Sequence, residues 1–236
     1  MGLWKTLRRR WENLGVERRL DLRCPTEFHG NRKGGWILCP DPLTRSSIVY
    51  SVGVGTNATF DRSVLARFGC CVYAFDPTPA AVEYVERQDW PAGFHFHPWG
   101  IADRDGEARF SPSRDSREPS HTLLARPETA DRAVSAPVLR LSSLMERLGH
   151  NQVDVLKMDV EGAEYGVIAD LVQQRLAVGQ LLVEFHHRFP GLRRSDTNQT
   201  IRVLRESGYR LFAVSESGRE YSFLRKNRVD SPGTIE

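Results

Sequence analysis

The chain has 236 residues, of which 40% are hydrophobic and 27% charged; it is long enough for one well-buried α/β domain with appendages and short for two complete ones. No apolar run approaches the roughly 20 residues of a membrane-spanning helix, so an integral membrane protein is not expected. The net charge of +3 is mild, and the cysteines, Cys24, Cys39, Cys70 and Cys71, lack Cys-x-x-Cys or zinc-finger spacing, which points to free thiols in a reducing, cytoplasmic setting.

Residues 1–45 read as a basic, turn-rich extension. Leu3, Leu7, Trp11 and Leu14 would share one face of a short amphipathic helix, and Lys5, Arg8, Arg9, Arg10, Arg18, Arg19, Arg23, Arg32 and Lys33 crowd the segment. A solvated basic face is the plain reading; contact with an anionic surface, nucleic acid or lipid head groups, is the alternative. No secretory signal is expected, since Trp11-Glu12-Asn13 follows the charged start, and Met1-Gly2-Leu3-Trp4-Lys5-Thr6 fits the myristoylation pattern only formally. Gly30, Gly34, Gly35, Pro40 and Pro42 mark turns around one short strand at 36–39.

Residues 46–225 are expected to form the main domain. Strand 48–52, helix 61–68, strand 71–75, helix 79–87 and a short strand at 94–96 alternate, which implies a parallel sheet with right-handed crossovers. Cys70-Cys71 enters the second of these strands as packing. A short strand at 107–110 leads into 111–137, rich in Ser, Arg, Pro and Asp and read as a mobile flap over the site or a disordered insertion. Regularity resumes with helix 142–148, strand 153–158, helix 162–174, strand 180–185 and helix 196–206. Strands 209–214 and 221–224 are separated only by Ser215-Glu216-Ser217-Gly218-Arg219, too short for a crossover helix and right for a hairpin. Residues 226–236 read as a flexible tail.

The chemistry begins at Ser51-Val52-Gly53-Val54-Gly55, where a buried strand ends in a glycine turn and runs into Thr56 and Asn57. Glycine lets backbone approach a ligand closely, and the following helix offers free N–H groups to an anion. Val72 to Phe75 is a second apolar strand; it ends in Asp76-Pro77-Thr78, about twenty residues on, where a nucleoside-binding fold places the acid for ribose hydroxyls. A carboxylate that caps the next helix is the structural alternative for Asp76. Gly53-x-Gly55-x-x-Ala58 also fits a dinucleotide fingerprint, so an NAD(P)-dependent oxidoreductase stays open. The acids after strand 153–158, Asp159, Glu161 and Glu164, favour S-adenosylmethionine, whose amine and sulfonium a carboxylate attracts.

Together, Tyr50 to Gly55, Ala74-Phe75-Asp76-Pro77-Thr78, Leu156-Lys157-Met158-Asp159-Val160-Glu161-Gly162-Ala163-Glu164 and Leu182-Val183-Glu184-Phe185-His186 resemble the FkbM-type S-adenosylmethionine-dependent methyltransferases, in order and over residues 48–224. The resemblance implies a Rossmann-like class I methyltransferase fold, a mostly parallel seven-stranded sheet ending in an antiparallel hairpin. It also implies methylation of a hydroxyl on a sugar or natural product, and adenine near Gly100 and Ile101. Asp103 nearby is either part of that contact or a turn residue. Ser51 stands where many methyltransferases have an acid, which shifts the cofactor amine toward backbone carbonyls and Asp159. Arg140-Leu141-Ser142 lacks the acid that members commonly carry after Leu.

Asp159, Glu184, His186 and His187 are the catalytic candidates, because neighbouring strand ends meet at the carboxyl edge where α/β folds bind substrates. Either a carboxylate or His186 removes the hydroxyl proton, or Asp159, Glu184 and His186 hold Mg²⁺ or Mn²⁺ that binds the hydroxyl; a structural polar cluster is the alternative to both. Glu161 and Glu164 read as surface or capping residues, and Lys157 as a partner for one of them. A nucleic-acid methyltransferase is the remaining alternative, although the Asn-Pro-Pro-Tyr type of motif used on base amines is absent.

Overall fold

The computed structural model describes residues 15–112, 121–122 and 127–226. The expected helix over 3–14 and most of the expected tail lie outside them. In chain order the elements are β1 (Glu27–His29), β2 (Trp36–Leu38), β3 (Ile48–Val52), α1 (Thr59–Phe68), β4 (Cys71–Phe75), α2 (Pro79–Glu86), β5 (Phe94–His97), β6 (Gly100–Ile101), β7 (Gly106–Pro112), β8 (His121–Thr122), a 3₁₀ turn (Pro127–Arg132), β9 (Val134–Leu139), α3 (Leu141–Leu148), β10 (Val153–Met158), α4 (Glu164–Gln173), β11 (Val178–Glu184), α5 (Arg194–Glu206), β12 (Tyr209–Val214) and β13 (Glu220–Arg225).

A seven-stranded sheet runs in the order β12-β13-β11-β10-β3-β4-β5. Its members from β11 to β5 pair in parallel, and β13 joins antiparallel to both β11 and β12. This is the α/β class I methyltransferase fold expected from the sequence. Because successive strand residues point to opposite faces, Tyr50, Leu156, Met158 and Val183 pack on one side with Leu144, Ile168 and Leu204 of α3, α4 and α5. Val49, Val72, Val155 and Leu182 pack on the other with Trp36, Phe60 and Val64. Strands buried on two faces must be apolar at nearly every position. The polar residues Ser51 and Lys157, both buried on the Val49–Val155 side, are therefore the informative exceptions.

Helix ends follow from local chemistry. Thr78 caps α2 by accepting from the Ala81 N–H, with Pro79 in its first turn. Gly69 and Gly149 close α1 and α3 in the left-handed conformation. Helix α4 starts two residues later than expected, since Glu161 (φ 50°) and Gly162 (φ 108°) are left-handed.

Two pieces are additions to the sequence expectation. β1 pairs antiparallel with β2, so the region expected to hold one strand is a hairpin. The region 111–137 is not structureless in its described part: β9 pairs antiparallel with β7 and parallel with β6, and β8 pairs with β7. Ala102, Ala108, Phe110, Ala136 and Val138 give this second sheet its own small core. Among the described residues no helix is long and apolar enough to cross a membrane.

Candidate active site

Strands β3, β4 and β10 end side by side, and their exit loops enclose a cleft of about 590 Å³, within the size range of small-molecule and cofactor sites. Gly53, Gly55, Thr56, Asn57, Asp76, Pro77, Thr78, Gly100, Ile101 and Asp159 all line it. Ser51 is not among the lining residues; the pleat of β3 buries it completely on the α1 side.

The turn is tightly braced. Gly53 has φ 78°, and its N–H donates to the Phe75 carbonyl at 2.9 Å. A Cβ there would sit 1.9 Å from the Asp159 carbonyl oxygen, so glycine is what lets β3 and β10 end against each other. Gly55 has φ 54°, and an added Cβ would meet no atom within 4 Å: the space beside it is open to a ligand. Its N–H donates to Asp76 Oδ2 at 2.8 Å. Asp76 Oδ1 accepts from the Thr78 N–H at 2.9 Å and the Thr78 hydroxyl at 2.6 Å. The aspartate thus ties the glycine turn to the start of α2, while the cap of α2 itself is Thr78. Pro77, Ile101 and Phe110 form an apolar end of the cleft, and Trp36 and Phe60 also reach it.

Lys157 differs from expectation. It lies on the face of β10 opposite α4, and its Nζ donates to the carbonyls of Val52 (3.0 Å) and Gly53 (2.6 Å), 5.6 Å from the Trp36 ring centre. It does not pair with Glu161 or Glu164. Beside it is Asp61, buried in α1; burial pushes its carboxyl up, opposed by the Lys157 charge and the Ser51 hydroxyl. Lys157, Asp61, Trp36 and Phe60 also line the cleft; the sequence reading gave none of them a place there, because they come from β10, α1 and β2 and meet only in the folded chain.

Beside the cleft is a second, denser group. Nε2 of His186 lies 3.6 Å from Asp159 Oδ1, 3.8 Å from Glu161 Oε2 and 3.8 Å from Glu184 Oε1. Ligand atoms of Asp159, Glu184 and His186 all fall within 4.8 Å of one another, so the structure does bring the three predicted residues together. Asp159 belongs to both the group and the cleft, whereas Glu184 and His186 do not line the cleft. Glu164 is the member the sequence reading missed. It is fully buried, not a surface residue. Its Oε2 accepts from the Gly162 N–H at 2.8 Å, and its Oε1 accepts from the His186 N–H at 2.7 Å and lies 3.2 Å from His186 Nδ1. The left-handed Glu161–Gly162 pair turns the chain so that the first residue of α4 points back at β11.

Burial pushes the Asp159 carboxyl up, Glu184 adds to the rise, and His186 and Lys157 oppose it. Burial works against a charged His186, but the Glu164 bond and the surrounding carboxylates outweigh it and raise the imidazole. His187 is not part of this group; its Nδ1 is 3.3 Å from the Thr197 hydroxyl of α5. Arg188 donates to Glu184 at 3.1 Å and reaches the cleft. From the second sheet, the Thr122 hydroxyl donates to the Glu161 carbonyl.

Comparison with known proteins bears on this geometry. The family described as "Methyltransferase FkbM domain" matches residues 49–211. Two curated proteins named "Probable methyltransferase-like protein 24" are similar. That of Homo sapiens is 27% identical over 190 residues, 76% of this chain and 46% of its own length. That of Rattus norvegicus is 26% identical over 212 residues, 81% and 52%. The chain spans about half the length of these relatives. Among solved structures, a Methanococcus jannaschii fibrillarin pre-rRNA processing protein aligns with a TM-score of 0.46 at 11% identity, over 92% of this chain and 93% of that one.

Proposed function

We infer, because the chain belongs to the methyltransferase FkbM domain family, that it moves a methyl group from S-adenosylmethionine to a hydroxyl oxygen of a sugar or small natural product. One observation carries this reading: the glycine turn, the carboxylate of Asp76 and the carboxylate of Asp159 open onto a single cleft of cofactor size. The residues fit the cofactor. The open space at Gly55 suits the methionine portion, Asp76 is placed to accept from ribose hydroxyls, and Pro77, Ile101 and Phe110 offer a flat apolar seat for adenine. Gly53 and Val52 present carbonyls that Lys157 already occupies, so Asp159 is the anionic group left near the amine and sulfonium.

S-adenosylmethionine supplies an electrophilic methyl group; the protein's part is to align an acceptor oxygen with it. Such positioning contributes on the order of 7–11 kcal/mol, against about 10²–10⁴-fold for help in removing the proton. The group around His186 provides that help, either by taking the hydroxyl proton or by holding a divalent cation that acidifies it. We take residues 46–225 as the catalytic unit. The four free thiols of the chain, Cys24, Cys39, Cys70 and Cys71, support a reducing, cytoplasmic setting. The nicotinamide reading has no support beyond the glycine spacing and Asp76, and the nucleic-acid reading rests on the basic residues of the first segment, of which Lys5, Arg8, Arg9 and Arg10 lie outside the described region.

Calorimetry with S-adenosylhomocysteine tests the cofactor: saturable one-to-one binding is expected, and no heat at millimolar ligand would overturn the proposal. Comparing metabolites and glycans from cells with and without the protein then seeks acceptors, as products heavier by one methylene.

A further inference from the structure

We propose that Asp159, Glu184 and His186 hold one divalent cation of the Mn²⁺ class at the edge of the methyl-transfer cleft. The inference rests on the cleft being the methyl donor's site and selects the cation route over proton removal by His186.

The first support is spacing. The separations of 3.6, 3.8 and 3.8 Å from His186 Nε2 to the three carboxylate oxygens are too long for hydrogen bonds. Two donors each about 2.1–2.2 Å from a shared ion lie about 3 to 4.4 Å apart, depending on their angle at the metal. Each of these oxygens is therefore at a ligand-to-ligand distance from His186 Nε2, and the ligand atoms of Asp159, Glu184 and His186 form one compact group.

The second support is independent of the carboxylates' number. His186 is 1% exposed, and among the described residues its Nε2 and the facing Asp159 Oδ1 are buried without a hydrogen-bond partner. Buried polar atoms are rarely left so. A cation between them satisfies both at once.

The third is the other side of the ring. Nδ1 faces Glu164, whose two oxygens are fixed by the N–H groups of Gly162 and His186. A carboxylate behind a ligating histidine holds the ring with its proton on Nδ1 and its Nε2 lone pair toward the metal. As a base, Nε2 would face the three carboxylates and not the cleft. An ion held here is reached through Asp159, which does line the cleft. A hydroxyl entering there completes the coordination shell and becomes more acidic. One imidazole nitrogen among carboxylate oxygens suits Mn²⁺ better than the all-oxygen preference of Mg²⁺ or Ca²⁺.

The test is a titration of the full chain with Mn²⁺ alone, following loss of the free-ion electron paramagnetic signal, with and without S-adenosylhomocysteine. One bound Mn²⁺ per chain is expected, weakened at least tenfold by Glu184→Gln and about 10–100-fold by Glu164→Gln, which acts on the ion only through His186. Circular dichroism confirms that each variant is folded; Glu184, at the strand end, is the milder change. A folded wild-type chain that binds no Mn²⁺, or a folded Glu184→Gln chain that binds it as tightly, overturns the inference. S-adenosylhomocysteine binding that persists without Mn²⁺ binding would sink the cation alone and spare the methyltransferase reading; the converse would sink the methyl donor and leave the ion.

Discussion

A methyl group added at position 53 has nowhere to go. Gly53→Ala combines a left-handed φ with a Cβ 1.9 Å from the Asp159 carbonyl oxygen, so it must push the end of β10 away. Strain of this kind costs about 1–3 kcal/mol before the clash is counted. Gly55→Ala meets no atom and carries only the left-handed cost of about 1–2 kcal/mol. Urea unfolding is expected to rank Gly53→Ala as clearly the less stable; equal midpoints would refute the bracing of β3 against β10. Asp76→Ala removes the acceptor for Gly55 and Thr78 together with the proposed ribose contact. Charged hydrogen bonds are worth about 1.5–3 kcal/mol, so affinity for S-adenosylhomocysteine should fall about 10–100-fold by calorimetry. Asp76, Gly53 and Gly55 were legible in the sequence because a turn and a strand end are local patterns. Glu164 and Lys157 were not: each acts on a partner far along the chain, and in sequence one passes for a helix-start acid and the other for a strand-end cation.

At the scale of elements, one side chain joins the first hairpin to the sheet. Gln180, buried in β11, accepts from the Cys39 N–H at 2.9 Å and donates to the Cys39 carbonyl at 2.8 Å, standing in for a neighbouring strand. Gln180→Leu would leave two buried backbone groups unpaired, at about 1–3 kcal/mol each, and hydrogen exchange at Cys39 should quicken. Unchanged stability and protection would show that the hairpin is held without Gln180, by apolar packing and the Ser222 hydroxyl bond to the Ile37 carbonyl. The strands of the main sheet could be read from the sequence since each is a short apolar run with a turn beside it, and the terminal hairpin since five residues cannot cross a sheet. β1 and β9 escaped that reading. β1 is three residues long, and β9 includes Pro137 within a polar surrounding; both are strands only because β2 and β7 offer edges to pair with.

For the whole molecule, acid is the revealing variable. His29, His97 and His150 are all held below the ordinary imidazole range, in each case chiefly by burial. The unfolded chain takes up protons near pH 6.5 while the folded chain refuses them. Their contribution is therefore fully present above about pH 6.5 and is lost as pH falls through that value toward their depressed folded values. His29, bonded to Ser63 and Glu27, isolates the effect: His29→Gln should flatten the fall in urea-unfolding stability between pH 7.5 and 5.5, and parallel profiles would rule it out. The strand order has a further consequence, for synthesis. β13 is the last strand of the described chain, yet it lies inside the sheet, between β11 and β12. Until it has left the ribosome, β11, which leads into His186, has one bare edge, and β12 has no neighbouring strand in the sheet. The strand that leads into His186 is thus completed only once β13 has been made, and the nascent chain carries an open sheet edge, a template for aggregation, until that point. A chain cut after Val214 should scatter light on dilution from urea where the full chain stays clear.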